Sequence, residues 1–229
     1  MKITATLALA LLSTGFVSQM QSATAPERLD MKIRQDFFAG FGGDANALAK
    51  GMKTCEEILA GNPKHAEALV WHGGGLYFQA GRAFQTGDQE NGMRLFQAGL
   101  KEMDSAVAFA PEMIAVRIPR GATLLTGSRG IPDPNIARPL IEKGLSDYEF
   151  ALSRQESNWQ NMGVHPRGEL LFGLAEGHSR MGNEEKARLY FQRILTEMKA
   201  TPYADRAELW MKEKSLPIAK TGCIGCHVK

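Results

Sequence analysis

The sequence has little of several features that would by themselves assign a protein class. Its 229 residues include three cysteines, too few for a scaffold held by disulfides, so its stability must come from apolar packing. Lys and Arg number 27 against 25 Asp and Glu, and this near balance argues against nucleic acid as a main partner. Runs of β-branched residues are rare, and after the N-terminal region no segment approaches the about 18 apolar residues of a membrane-spanning helix. These absences together predict a mainly helical globular protein.

The first 25 residues have the order of regions found in a secretory signal peptide. Lys2 gives a short positive start, mainly apolar or small residues follow over 3–17, and small and polar residues over 18–25 precede a charged segment. The apolar run is shorter than the about 20 residues that span a bilayer. We therefore predict that residues 1–25 are removed on export and that the mature protein is soluble in the periplasm or elsewhere outside the cytoplasm. The alternative is an uncleaved segment that anchors it to a membrane.

Glycine and proline divide residues 26–213 into segments of helix length, in which apolar residues recur at helical spacing. The clearest pair of segments runs from about Gly168 to Pro202, with a break at Gly182. A second pair begins at Ala66, and a weaker unit opens near Gly121. In the clearest pair, the positions expected to pack the two helices together are Leu171, Leu174, Ala175, His178, Ala187 and Phe191.

These positions resemble the tetratricopeptide repeat (TPR), a helix-turn-helix unit of about 34 residues. His178 stands where the repeat usually has Tyr, and His72 of the second pair stands where it usually has Leu. The resemblance implies an all-α, TPR-like helical-repeat solenoid over residues 26–213. Because each pair would bury its apolar face only against its neighbours, we expect residues 204–213 to form a capping helix. The resemblance also implies a concave surface that docks other proteins.

The motif that carries chemistry lies in the tail, residues 214–229. Cys223, Cys226 and His227 form the pattern Cys-x-x-Cys-His, the attachment motif for c-type haem. Thiols at this spacing reach both vinyl groups on one edge of a porphyrin, and the adjacent imidazole is carried to the iron. We therefore predict one covalently bound haem c, with thioethers at both cysteines and His227 as the proximal axial ligand.

Three other interpretations of Cys223 and Cys226 stay open. A zinc site would need a fourth ligand, such as Cys55 or another histidine. A thioredoxin-like redox pair needs a βαβ setting, of which the sequence shows no sign. A Cys223–Cys226 disulfide would leave an exported helical scaffold without haem. Cys55 itself is expected to be a buried free thiol.

The position of the motif gives an alternative fold. Only Val228 and Lys229 follow it, so we expect no class I cytochrome c domain, in which the motif comes near the start. In position the tail resembles the four-helix-bundle cytochromes c′. That resemblance implies five-coordinate iron, and with it a haem-based sensor or small-ligand binder.

The motif does not assign the sixth ligand of the iron. His178 is the leading distal candidate, because a capping helix parallel to its own helix would let the link 214–222 fold the haem back onto it. His165, Met211 and Met198 are weaker candidates, and an open or water-bound iron is the remaining alternative. A hydrogen-bonded core position is the simplest interpretation of His178.

Together these features predict an exported mono-haem c-type protein that combines a docking body with one-electron transfer. We expect an electron carrier or an accessory redox subunit rather than an enzyme. Its partner would be a periplasmic redox protein or a membrane complex, bound through the helical-repeat surface.

Overall fold

The computed structural model describes residues 28–214, which contain nine α-helices, two short 3-10 helices and no strand. The all-α prediction is confirmed. The predicted signal segment 1–25 and Cys223, Cys226 and His227 lie outside the described residues. In chain order the helices are α1 (Leu29–Phe41), α2 (Ala45–Gly61), α3 (Ala66–Gln85), α4 (Gln89–Phe109), α5 (Ile114–Gly127), α6 (Pro134–Gln155), α7 (Val164–Arg180), α8 (Glu184–Glu197) and α9 (Pro202–Glu213), with the 3-10 helices at Ser128–Gly130 and Glu156–Asn161.

Short turns separate most of the helices, and a side-chain cap opens six of them, namely α2, α3, α4, α6, α8 and α9. Asp44 opens α2 by accepting hydrogen bonds from the backbone N–H groups of Asn46 and Ala47, each at 3.0 Å. Asn183 opens α8 in the same way. The turn before it depends on Gly182, whose φ of +78° is a left-handed conformation that glycine adopts without strain. The predicted break at Gly182 is therefore confirmed.

Consecutive helices pack as hairpins. In the described part of the chain α1 packs with α2, α3 with α4, α5 with α6 and α7 with α8, while α9 packs on α8. The first helix of each hairpin also contacts the first helix of the next, and the second helix contacts the first helix that follows it. The main packing contacts therefore join neighbouring hairpins, and each hairpin is covered by the next one along the chain.

Helices α3 and α4 approach each other closely at a pair of glycines. A Cβ atom at Gly73 would lie 2.8 Å from the carbonyl oxygen of Gly99, and a Cβ atom at Gly99 would lie 2.6 Å from the carbonyl oxygen of Gly73. Both distances are too short for a real side chain. The small residue that the repeat resemblance requires at Gly73 thus has a direct packing role.

The positions matched to the repeat in α7 and α8 form part of the core. Helix α9 covers this last hairpin, because Trp210 is 1% exposed and stacks on Phe191 with ring centroids 4.6 Å apart. The helix predicted over 204–213 is confirmed as α9, and its role as the end cap of a solenoid stays a prediction. The fully buried positions in α7 and α8, each 0% exposed, are Leu171, Leu174, Ala175, Ala187 and Phe191.

The prediction that a repeat unit opens near Gly121 is wrong. Gly121 lies inside α5, which begins at Ile114, and a Cβ atom there would lie 2.6 Å from a ring carbon of Tyr148 in α6. Pro119 also lies inside α5. Gly121 therefore serves the contact between α5 and α6 and marks no turn.

A buried ion-pair network joins α4, α5 and α6. Asp147 is 0% exposed and accepts hydrogen bonds from Arg120 Nε at 2.7 Å, Arg120 Nη2 at 2.8 Å and Arg117 Nη1 at 2.9 Å. Arg120 Nη1 also donates to Asp104 at 2.9 Å, and Lys143 donates to the same carboxylate. Every charge in the network therefore has an opposite partner, which is the condition for burying charges in a protein.

The Asp147→Asn substitution tests how much the fold depends on this network. It removes the negative charge and leaves Arg120 buried with incomplete compensation, so we expect the free energy of unfolding to fall by about 3–5 kcal/mol. Asp133→Asn is the matched control, because Asp133 is an exposed N-cap of α6 and Asn caps helices equally well. Urea unfolding followed by circular dichroism measures both variants, and equal losses would contradict the assigned role of Asp147.

Candidate functional site

His178, the leading distal candidate, lies in the described part of the chain, as do the weaker candidates His165, Met198 and Met211. Cys223, Cys226 and His227 come after Lys214, the last described residue. Their roles therefore stay predictions. The described residues do show where the helix before them ends.

Helix α9 runs parallel to α7. Near the starts of the two helices, the hydroxyl oxygen of Tyr203 lies 2.9 Å from Nδ1 of His165. Near their ends, Nε1 of Trp210 donates to Oγ of Ser179 at 2.8 Å. The arrangement on which the distal prediction for His178 depends is present, and the last described residues lie at the C-terminal end of α7.

His178 occupies the last turn of α7 and is 6% exposed. Its Nε2 lies 3.2 Å from Oε1 of Glu149 in α6, and its ring stacks on Tyr190 of α8 with centroids 5.8 Å apart. Because a carboxylate only accepts hydrogen bonds, Nε2 carries the proton, and a neutral ring then has its lone pair on Nδ1. The ring is thus a buried, hydrogen-bonded side chain held between α6 and α8.

The pKa of His178 lies below its ordinary value. Burial lowers it most, and the charge of Lys186 lowers it further, while Glu149 acts in the opposite direction. A neutral imidazole is the form that binds a metal ion. The protonation state of His178 is therefore suited to a ligand, whereas its burial and its hydrogen bond are typical of a core residue. The distal role stays a prediction.

His72 of α3 contacts carboxylates of both α2 and α4, unlike His178, which contacts one. Its Nδ1 is 2.6 Å from Oε2 of Glu102, and its Nε2 is 3.5 Å from Oε1 of Glu56. Burial acts to lower the pKa of His72, but hydrogen bonds and charge from Glu102 and then Glu56 outweigh it and raise the pKa above its ordinary value. The two carboxylates therefore stabilise the protonated form of His72.

Three sulfur-containing side chains, Met198, Met211 and Cys55, lie in different environments. Met198 is 2% exposed and belongs to the core, whereas Met211 is half-buried in the last turn of α9. Cys55 is 0% exposed and forms no disulfide in the described part of the chain, so the prediction of a buried free thiol is confirmed. Burial, followed by the charges of Glu102 and Glu56, raises the pKa of Cys55 to about 12. The thiol is therefore unreactive at neutral pH.

A charged cluster that the sequence does not reveal lies beside the end of α7. Glu176 is 3% exposed and accepts two hydrogen bonds from Arg129, at 3.1 and 3.0 Å. Arg180 lies 3.6 Å from the same carboxylate. These residues are far apart in the sequence and form no motif, so no sequence signal could have grouped them.

An apolar cleft of about 70 Å³ lies where α1, α3 and α5 meet. Phe38 and Phe41 of α1, Trp71 of α3 and Pro119 of α5 are among its lining residues. Phe38 and Trp71 have ring centroids 6.0 Å apart, so the aromatic side of the cleft is continuous. The cleft is formed by first helices of successive hairpins.

Two structural findings concern only residues 28–214. Within that range no group of three or more His, Cys, Asp or Glu side chains is arranged to hold a metal ion. Over the same range no helix is both long enough and apolar enough to cross a membrane.

The two buried histidines are expected to titrate on opposite sides of the ordinary histidine pKa, about 6.5. The pKa of His72 is raised, so its contribution to stability is complete below pH 6.5 and is lost as the pH rises through the folded pKa. The pKa of His178 is lowered, so its contribution is present above pH 6.5 and is lost as the pH falls through the folded pKa. Ring-proton NMR from pH 4 to 9 measures both titrations.

His72→Gln and His178→Gln assign the two NMR signals and serve as controls for each other. His72→Gln should reduce the pH dependence of thermal stability on the alkaline side, and His178→Gln should reduce it on the acidic side. Two titrations on the same side of pH 6.5 would contradict the environments described above.

Comparisons of the chain with family models, curated proteins and solved structures find no match. Function is therefore inferred from the chain's own motif, contacts and charges.

Proposed function

We propose that this chain is an exported mono-haem c-type protein that transfers single electrons and docks a redox partner through its helical body. The observation that carries the proposal is the Cys-x-x-Cys-His pattern of Cys223, Cys226 and His227. The N-terminal segment 1–25 supports it, because c-type haem is attached outside the cytoplasm in bacteria.

The chemistry of the donor set is suited to haem c. Cys223 and Cys226 would hold the porphyrin through two thioethers, and His227 would supply the imidazole to the iron. When bound, the haem supplies a one-electron couple. Cys55 is buried with a raised pKa, so it does not compete for attachment.

The body is proposed to be a TPR-like solenoid. Two observations support this finer description: the neighbour-to-neighbour packing of the hairpins, and the burial of the matched positions in α7 and α8. The docking role rests on the resemblance to the repeat, whose stacked hairpins form a concave binding surface. The expected partner is a periplasmic redox protein or a membrane complex.

A second candidate function is a haem-based sensor or binder of small ligands with five-coordinate iron. One observation favours it. His178, the leading distal candidate, is buried, and its Nε2 is hydrogen-bonded to Glu149. In the described arrangement its ring is therefore not presented to an iron at the surface.

Attachment of haem is tested on mature protein made in an exporting host that has the cytochrome c maturation machinery. A pyridine haemochrome spectrum of c type, together with haem that survives a denaturing gel, is the expected result. The double variant Cys223→Ser/Cys226→Ser should lose the stain, and Cys55→Ala should keep it. A colourless protein with Cys223 linked to Cys226 would refute the haem proposal and leave an exported scaffold.

The spin state of the iron separates the two candidate functions. Electron transfer with His178 as the sixth ligand predicts low-spin iron that becomes high-spin and binds CO in His178→Ala. His165→Ala tests the weaker histidine candidate in the same way and should not change the spectrum, because His165 is exposed at the opposite end of α7. An unchanged spectrum in His178→Ala would remove this ligand, and high-spin iron in the parent protein would favour the sensor.

A further inference from the structure

One buried carboxylate near the end of α7 serves two arginines. Glu176 accepts both hydrogen bonds from Arg129, while Nη1 of Arg180 stays 3.6 Å away from it. Arg180 instead donates to the carbonyl oxygen of Leu125 at 2.9 Å and to Oγ of Ser128 at 3.0 Å. Both acceptors are neutral, so Arg180 has no carboxylate of its own among the described residues.

The pKa of Arg180 is consistent with a single carboxylate shared between two arginines. Burial lowers the pKa of Arg180, Glu176 opposes that shift, and the charge of Arg129 adds to it. Arg120 provides the internal comparison, since burial acts on it in the same direction but Asp147 and Asp104 outweigh it and raise its pKa. The cluster at Arg180 is therefore short of negative charge in a way that the network at Arg120 is not.

A second observation in the same place concerns Tyr77 of α3. Tyr77 is 8% exposed, and its hydroxyl group is buried without a hydrogen-bond partner among the described residues. A Cβ atom at Gly127 would lie 3.0 Å from that hydroxyl oxygen, so the hydroxyl lies next to Gly127, the residue before Ser128, which accepts a hydrogen bond from Arg180. Burial raises the pKa of Tyr77 to about 12, and the charge of Arg180 acts against the rise. A buried O–H donor thus lacks an acceptor next to an under-compensated guanidinium, although buried polar groups are normally paired.

We propose that Tyr77, Arg129 and Arg180 form a binding site for a carboxylate, and that a propionate group of the haem carried by the tail supplies it. This inference rests on the proposed function. A carboxylate is the acceptor that two guanidinium groups and a hydroxyl donor together bind well. It would supply both the missing charge and the missing hydrogen-bond acceptor.

The course of the chain favours the propionate as the source. The hydrogen bond from Trp210 to Ser179 places the end of α9 beside the residue that precedes Arg180. Residues 215–222 separate Lys214 from the attachment motif, and eight residues span at most about 28 Å when extended. A group attached to the tail therefore has the reach to meet Arg180. An acidic side chain of a docked protein would offer the same chemistry, and the experiment distinguishes the two sources.

The first arm of the experiment compares Tyr77→Phe in two backgrounds, the haem-loaded chain and the haem-free full chain carrying Cys223→Ser/Cys226→Ser. Without a bound carboxylate, Tyr77→Phe deletes an unpartnered hydroxyl, so the thermal midpoint should stay constant or rise. With the propionate in place, the same substitution removes a hydrogen bond, so the midpoint should fall. The same change in both backgrounds would overturn the propionate assignment. This conservative variant keeps the ring, so it tests the site without emptying the core.

The second arm uses acetate as the probe, with chloride at equal ionic strength as the reference. Acetate should raise the thermal midpoint of the haem-free chain and should fail to do so in Arg180→Gln. Arg154→Gln is the matched control and should keep the response, because Arg154 is 54% exposed and pairs with Glu112 on the surface. No response to acetate in the haem-free chain would overturn the carboxylate site.

The haem-loaded chain identifies the source of the carboxylate. If the propionate occupies the site, acetate should no longer raise the thermal midpoint. A response that persists in the loaded chain and requires Arg180 would overturn the propionate assignment and indicate an acidic group of a docked protein. A chain that attaches no haem overturns the proposed function and the propionate source together, and the acetate arm then decides the carboxylate site on its own.

Discussion

Within residues 28–214 the apolar face of each helical hairpin packs against the next hairpin, or against α9 for the last one, and the rest of the structure depends on these contacts. The contact is close where α5 and α6 meet α7. A Cβ atom at Gly177 would lie 2.7 Å from a methyl carbon of Leu145 and 3.1 Å from one of Leu125. Trp210 of α9 covers the last hairpin of the described residues by stacking on Phe191. Loss of one hairpin would therefore expose the apolar face of its neighbour.

The parts of the fold that the sequence predicts correctly are those with local causes. Leu171, Leu174 and Ala175 follow the helical period, and Gly182 marks the turn after it, so α7 and α8 could be identified from spacing alone. The prediction at Gly121 is wrong because a glycine at a helix boundary and a glycine that makes room for a neighbouring ring look the same in a sequence. Tyr148, the ring in question, belongs to the next helix, and only the packing of α5 on α6 reveals the contact.

The electrostatic features depend on distant partners and therefore escape prediction from sequence. His72 and His178 both lie on first helices of hairpins, and both contact a carboxylate of the preceding second helix. Burial lowers the pKa of both histidines. At His72 the carboxylates of Glu102 and Glu56 outweigh burial and raise the pKa, whereas at His178 the charge of Lys186 adds to burial and Glu149 does not outweigh them. Nothing in the local sequence of either histidine encodes that difference.

The last turn of α7 is the place where these features come together. Successive residues of a helix point about 100° apart, so neighbours in this turn reach different helices. Glu176 pairs with Arg129 after α5, His178 faces Glu149 of α6, Ser179 accepts from Trp210 of α9, and Arg180 donates back to α5. This one turn therefore contacts α5, α6, α8 and α9. A negative charge placed there would compensate Arg180 and would leave the neutral His178, on a different side of the same turn, in its hydrogen bond to Glu149.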